Sequence, residues 1–188
     1  MALRIVDDAL QERDLIDGCR QGHPAAQRQV FDTYRDRVYS IALHYLKGDD
    51  AGALDVTQDV FVRAFRALPQ FRAEARLSTW LYRVVVNACL DELRRRRKVL
   101  YFGDVPASLH PAIAPDEPND LDADVKAALA RLSPTLRLTV LLRHFEDLSY
   151  DEMAEALGCS PGTVASRLSR AHAALARDLA HRRPESTP

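Results

Sequence analysis

The stretch that most constrains the fold runs from residue 148 to 171, LSYDEMAEALGCSPGTVASRLSRA. Ser149 followed three residues later by Glu152 makes a capping box, which starts a helix with its first amides satisfied. Tyr150, Met153, Ala154 and Leu157 stand at i, i+3, i+4 and i+7 and give that helix one apolar face. Gly158 can adopt the left-handed conformation that ends a helix. Ser160 then caps a second helix, with Pro161 at its first position, where the missing N–H costs nothing. Val164, Leu168, Ala171 and Leu175 form the buried stripe of this second helix. Two short helices joined by a tight Gly-containing turn read as a helix-turn-helix. The outward face of the second helix carries Thr163, Ser166, Arg167, Ser169 and Arg170, all small polar or cationic. Such a face suits the major groove of DNA, with the first turns nearest the base edges.

The rest of the chain is helical in pattern. Residues 4–21 form a short helix anchored by Leu10, Leu15 and Ile16, broken at Gly22-His23-Pro24. Residues 25–46 repeat Val30, Tyr34, Val38, Ile41, Ala42 and Tyr45 at spacings of three and four. Residues 53–68 place Val56, Val60, Phe61, Ala64, Phe65 and Leu68 on an apolar side, with Asp55, Gln58, Asp59, Val62, Arg63 and Arg66 opposite. Pro69 stops this helix, and residues 70–77 read as an irregular link. Ser78 is the expected cap of a long helix whose stripe runs Leu81, Val84, Val85, Ala88 and Leu93, with Arg83, Asn87 and Arg94 on a polar face. Residues 121–132 form another helix, Ser133-Pro134 caps the next, and Leu138, Leu141, Leu142 and Phe145 face inward. VVV at 84–86 falls within a helical period, so the expected fold class is all-α.

Charge divides the chain. Its net charge is −1, yet residues 63–98 hold ten bases against three acids, a balance of +7. Residues 99–125 hold six acids and no Lys or Arg, a balance of −6. The run of four arginines and a lysine at 94–98 has nothing acidic nearby to neutralise it, and reads as a phosphate-binding patch. A basic block followed by an acidic one implies a chain that touches phosphates but whose free form binds DNA weakly. Residues 99–120 have four prolines and no period, which between two domains is the pattern of a flexible linker. The expected division is therefore 1–98, a linker at 99–120, 121–182, and a polar tail at 183–188.

No apolar run approaches a membrane span, and the N-terminal MALRIVDDAL carries acids where a signal peptide needs an apolar stretch. Cys19, Cys89 and Cys159 lie far apart, in no metal-binding spacing, and read as core thiols of a reducing compartment. The six histidines show no catalytic spacing, and no Gly-rich phosphate loop or nucleophile motif is present. Neither an enzyme, a metal site, a cofactor nor a small-molecule substrate is expected.

DVTQDVFVRAFRALPQFRAEARLSTWLYRVVVNACLDELRRRRK resembles the DNA-melting domain of the extracytoplasmic-function (ECF) sigma factors of bacteria. LSPTLRLTVLLRHFEDLSYDEMAEALGCSPGTVASRLSRAHAAL resembles their promoter-binding C-terminal domain. The resemblance covers nearly the whole chain, in order. It implies that Asp55, Gln58, Asp59 and Arg63 face the clamp helices of the RNA polymerase β′ subunit, and that the second domain meets the β flap. It further implies that the loop Arg72, Glu74, Ala75 and Arg76 captures a flipped base of the minus-ten promoter element, with Trp80, Arg83 and Asn87 at the edge of the melted duplex. Stacking and cations are what single-strand capture requires. Ser160, Thr163, Ser166, Arg167 and Arg170 would dock on the minus-thirty-five element, and the linker would thread toward the RNA exit path. The implied partners are core RNA polymerase, promoter DNA and an anti-sigma factor; the implied location is the cytoplasm, at the inner membrane face where the anti-sigma factor is membrane-bound. Ala165 and Ser169 stand where the family commonly has a basic residue and an aromatic or His, and Ala53-Leu54 replaces a commoner acidic pair. Base readout is therefore not carried over from the family.

The rival reading is a helix-turn-helix activator of the response-regulator or one-component type. A receiver half would alternate strands and helices, which residues 1–98 do not. If residues 99–120 form a linker, limited proteolysis cuts there first and leaves two helical fragments; first cleavage within 53–98 would refute that division.

Overall fold

The structure is a computed structural model that describes residues 2–102, 122–146 and 148–180. Eight α-helices are present among them, and no strand. They are α1 (Ala2–Arg20), α2 (Pro24–Tyr45), α3 (Asp50–Ala67), α4 (Leu77–Phe102), α5 (Ala123–Arg131), α6 (Pro134–Glu146), α7 (Tyr150–Leu157) and α8 (Pro161–Asp178). A single 3-10 turn, Leu68–Gln70, follows α3 around Pro69. Of the 99–120 linker and the 183–188 tail, the segments 103–120 and 183–188 lie outside the described residues.

Several helix ends differ from the sequence expectation, and each has a local cause. Helix α3 begins at Asp50 rather than at 53, because the Asp49 side chain accepts from the Gly52 amide at 3.1 Å and caps it. Ser78 is not the cap of α4. The helix starts at Leu77, whose amide donates to Glu12 Oε1 of α1 at 2.6 Å, so a tertiary contact supplies the acceptor. Helix α4 also continues to Phe102, past residue 98, where the expected linker begins. Asp122 caps α5 by accepting from the Asp124 amide at 2.9 Å.

The helix-turn-helix carries every expected cap. Ser149 Oγ accepts from the Glu152 amide, and Glu152 Oε2 accepts from the Ser149 amide at 2.9 Å, completing the capping box. Gly158 has φ +61°, left-handed, and Ser160 accepts from the Thr163 amide at 3.2 Å. Met153, Ala154, Val164, Leu168 and Ala171 are buried as the periodicity requires. Tyr150 is 45% exposed, however, and Ala156 is buried in its stead. The reason is that α7 packs on three neighbours, α4, α8 and α6, so its buried arc is wider and turned from the single stripe. The same holds for α4, where Tyr82, Val86 and Cys89 are buried while Val84 and Leu93 are only partly so.

Helix α2 is the hub. It packs on α1, α3 and α4 within its own half and on α5 and α6 of the other. Together with the α4–α7 contact, this joins the buried apolar side chains of both halves into one cluster. At the junction lies Arg137 of α6, only 3% exposed. Its guanidinium donates to the carbonyls of Leu129, Tyr45 and Ala130, each at 2.7 Å, and of Leu132 at 2.8 Å. These carbonyls belong to the C-terminal ends of α2 and α5, where backbone acceptors lack helical donors and the helix dipoles are negative.

The Glu152 carboxyl is held below its ordinary value first by the Ser149 hydroxyl, then by the Ser149 amide, with burial opposing and Arg76 assisting. A lowered folded value means stability that is present above the ordinary glutamate range and lost as pH falls through it. Ser149→Ala should cost about 1 kcal/mol in denaturant melts at neutral pH. The gap to wild type should narrow in acid once Glu152 is protonated; a gap independent of pH would show that the capping box does not set Glu152.

Candidate nucleic-acid and polymerase interface

Helix α8 presents Ser160, Ser166 and Arg170 exposed and Thr163 and Arg167 half-buried. Not all of these groups are directed outward. Ser160 and Thr163 hydroxyls bond each other at 2.9 Å, and Ser166 Oγ donates to the Thr163 carbonyl at 2.9 Å. Arg167 leans back to Cys159 Sγ at 3.5 Å, across the turn, while Arg170 Nε reaches the Ser166 carbonyl at 3.2 Å. The first two turns of the helix are thus a stiff hydroxyl-lined face with a cation on either side of Ser169, able to meet base edges and phosphates.

On α3, Asp55 and Gln58 are exposed, flanked by the exposed apolar side chains of Leu54 and Val62. Arg63 behaves otherwise. It bridges Asp59 on its own helix and Asp91 on α4, both at 2.7 Å, and so ties the two helices. The Asp91 carboxyl is held below its usual range, first by that hydrogen bond from Arg63. The face of α3 is therefore divided between an open acidic part and an arginine committed to the fold.

The arginine run is also not the unneutralised patch its composition implies. Arg94 pairs with Asp91 at 3.1 Å and Arg95 with Glu92 at 2.7 Å. Arg96 pairs with Glu92 at 2.6 Å and with Asp49 at 2.5 Å. The acids that do this are Asp91 and Glu92, one turn before the run, and Asp49 at the cap of α3; the charge balance counted the first two but not their pairing, and Asp49 reaches Arg96 only through the packing of α3 on α4. Burial raises the Asp49 carboxyl, but the Gly52 amide and Arg96 outweigh it and hold the group below the ordinary range. A Cβ at Gly52 would overlap the Arg96 guanidinium, so glycine there makes room for this pair. Arg83 and Asn87, on the outward face of α4, are exposed as expected.

The loop between Phe71 and Leu77 is fixed at both ends by α1, a role with no local signal in the residues of that helix. Arg20 donates to the Phe71 carbonyl, and Glu12 receives the Leu77 amide. Ala73 within it has φ +55°, a left-handed conformation that costs a non-glycine residue roughly 1–2 kcal/mol. Arg72, Glu74 and Arg76 are exposed and Ala75 half-buried. Trp80 is half-buried and packs on Phe71 with ring centroids 5.0 Å apart, so one side of its indole belongs to the core. Ala73, Glu74, Ala75 and Arg76 border a cleft of about 430 Å³ between α1 and α7.

Residues 30–99 match the family Sigma-70 region 2, and residues 122–175 match Sigma-70, region 4. The RNA polymerase sigma-H factor of Pseudomonas aeruginosa is 29% identical, over 90% of this chain and 94% of its own length. The ECF RNA polymerase sigma-E factor of Haemophilus influenzae is 30% identical, over 91% and 94% respectively. Among solved structures, CnrH in complex with the cytosolic domain of CnrY superposes with a TM-score of 0.69 at 25% identity, covering 90% of this chain and 97% of that one. The sigma factor RpoE of Bartonella quintana, in complex with the anti-sigma factor NepR, gives 0.68 at 28% identity, covering 81% and 96%. Two family regions in the right order, together with relatives matched over most of their length, establish that the chain belongs to the ECF sigma factor family.

Proposed function

We propose that the chain is a bacterial alternative sigma factor, a non-catalytic subunit that binds core RNA polymerase, directs it to specific promoters and assists DNA melting. The observation that carries this reading is the ordered pair of sigma regions, at 30–99 and 122–175. Residues 1–98 serve polymerase binding and minus-ten recognition, 99–120 link, and 121–182 recognise the minus-thirty-five element, followed by the tail at 183–188. The protein works in the cytoplasm. An anti-sigma factor is the expected regulator, which the complexes of CnrH with CnrY and of RpoE with NepR support by likeness. No helix among the described residues is long and apolar enough to cross a membrane.

Within region 2, Asp55 and Gln58, with Leu54 and Val62 around them, dock on the β′ clamp; Asp59 and Arg63 set the shape of that face through their bridge to Asp91. The loop Arg72, Glu74, Ala75 and Arg76 takes the flipped base, and Trp80, Arg83 and Asn87 line the melted edge. Ser160, Thr163, Ser166, Arg167 and Arg170 address the upstream element.

Run-off transcription with purified core enzyme on a genomic library tests the whole reading: promoter-specific transcripts appear only when this chain is added. If none appears, the chain is not a sigma factor. Asp55→Arg with Gln58→Arg should abolish core binding in a pull-down while leaving helical content unchanged, since both side chains are exposed. Retained binding would move the docking face elsewhere. In the holoenzyme, Arg170→Ala separates two roles for that guanidinium. If it meets a phosphate, the variant reduces the salt slope of promoter binding by about one unit; if it reads a base, the variant costs about 1–3 kcal/mol and relaxes sequence preference.

A further inference from the structure

We infer that His144 of α6 and His172 of α8 form a site for a divalent transition metal of the zinc class, which clips the two helices together. The inference stands apart from the sigma reading and uses none of the residues assigned to it.

The two histidines are 28 residues apart in sequence and meet only because α6 packs on α8. Their Nε2 atoms lie 3.2 Å from each other. The ring centroids are 5.5 Å apart with the planes tilted at 56°, so the rings meet nitrogen to nitrogen and not face to face. Both side chains are exposed. One Nε2 must donate and the other accept.

A hydrogen bond between two exposed imidazoles competes with water at each ring and contributes little to the fold. The same two nitrogens suit a metal better. Two imidazoles on one tetrahedral zinc, with Zn–N bonds of about 2.0–2.1 Å, hold their nitrogens about 3.3–3.4 Å apart. The pair stands close to that spacing, so a small swing of each exposed ring points both lone pairs at one ion. The donating ring moves its Nε2 proton to Nδ1 through water, and two neutral imidazoles bind the ion.

Ligand type selects the ion. Imidazole nitrogen favours zinc, nickel and copper, whereas magnesium and calcium take oxygen ligands. Among the described residues no group of three or more His, Cys, Asp or Glu could hold a metal, so waters complete the shell. Binding is therefore weaker and more readily reversed than at a closed four-ligand site. The neighbouring turns carry no cation: Leu168 and Ala176 lie one turn either side of His172, and Val140 one turn before His144. Arg143, beside His144 in the chain, is turned to the Leu148 carbonyl at 2.9 Å. Arg170 precedes His172 by two residues, roughly 200° around the helix, so an ion held here braces α8 without touching Arg170.

Titration of zinc(II) alone into the full chain tests this by imidazole nitrogen NMR, with Cys159→Ser removing the partly exposed thiol. Cys19 and Cys89 are buried. Zinc should shift the Nε2 signals of His144 and His172 together and before those of the other four histidines. Magnesium should shift neither. His172→Gln keeps an exposed polar side chain on the helix and should abolish the zinc response of His144, with helical content unchanged. Hydrogen exchange reads the clip. Free zinc at about ten times its measured dissociation constant should slow the amides of α6 and α8 about tenfold in the parent chain, and not in His172→Gln. Zinc that shifts neither ring, shifts other histidines first, or still shifts His144 in the His172→Gln chain overturns the site. Binding to both rings with no slowing of exchange overturns the clip.

Discussion

The packing of the two halves depends on one buried cation. Among the described residues no carboxylate bonds Arg137; it is compensated by four carbonyls at the ends of α2 and α5. A planar fork of donors can serve two helix ends at once, which an ammonium on a flexible stem cannot. Because the carbonyls need donors as much as the guanidinium needs acceptors, each side removes the other's desolvation cost. Around it the apolar faces of α2, α5 and α6 merge into the cluster that also takes in α4 and α7.

The second organising device is the ion-pair lattice along α3 and α4. Asp91 and Glu92 each serve two arginines, and Asp49 caps α3 while it receives Arg96. The lattice is half exposed, so each pair alone contributes little. Its importance is geometric: it fixes the register of α3 on α4, and so the position of Asp55 and Gln58 relative to Arg83 and Asn87. The face proposed to meet polymerase and the face proposed to meet DNA are held at one angle by the same carboxylates. Helix α1 does the equivalent for the loop between Phe71 and Leu77, holding both ends while Ala73 bears the backbone strain between them.

Local sequence determined the all-α class, the helix-turn-helix with its Ser149–Glu152 box, Gly158 turn and Ser160 cap, and the exposure of Asp55 and Gln58 on α3 and of Ser166 and Arg170 on α8. Each of these is written in residues no more than one or two helical turns apart, where periodicity and side chain-to-backbone hydrogen bonds act directly. The tertiary structure alone decided the rest. That α4 begins at Leu77 depends on Glu12, sixty-five residues earlier. That Arg63 is a strut and not a free contact depends on Asp91. That Arg96 reaches a second carboxylate, beyond its local partner Glu92, depends on Asp49 at the cap of α3. Arg137, set between Leu136 and Leu138 in an apolar helix, carried no sequence signal at all, because its acceptors are main-chain carbonyls that every residue possesses. Which carbonyls lie within reach is settled only when α2, α5 and α6 have packed, since sequence carries the side chains but not the distances between helix ends.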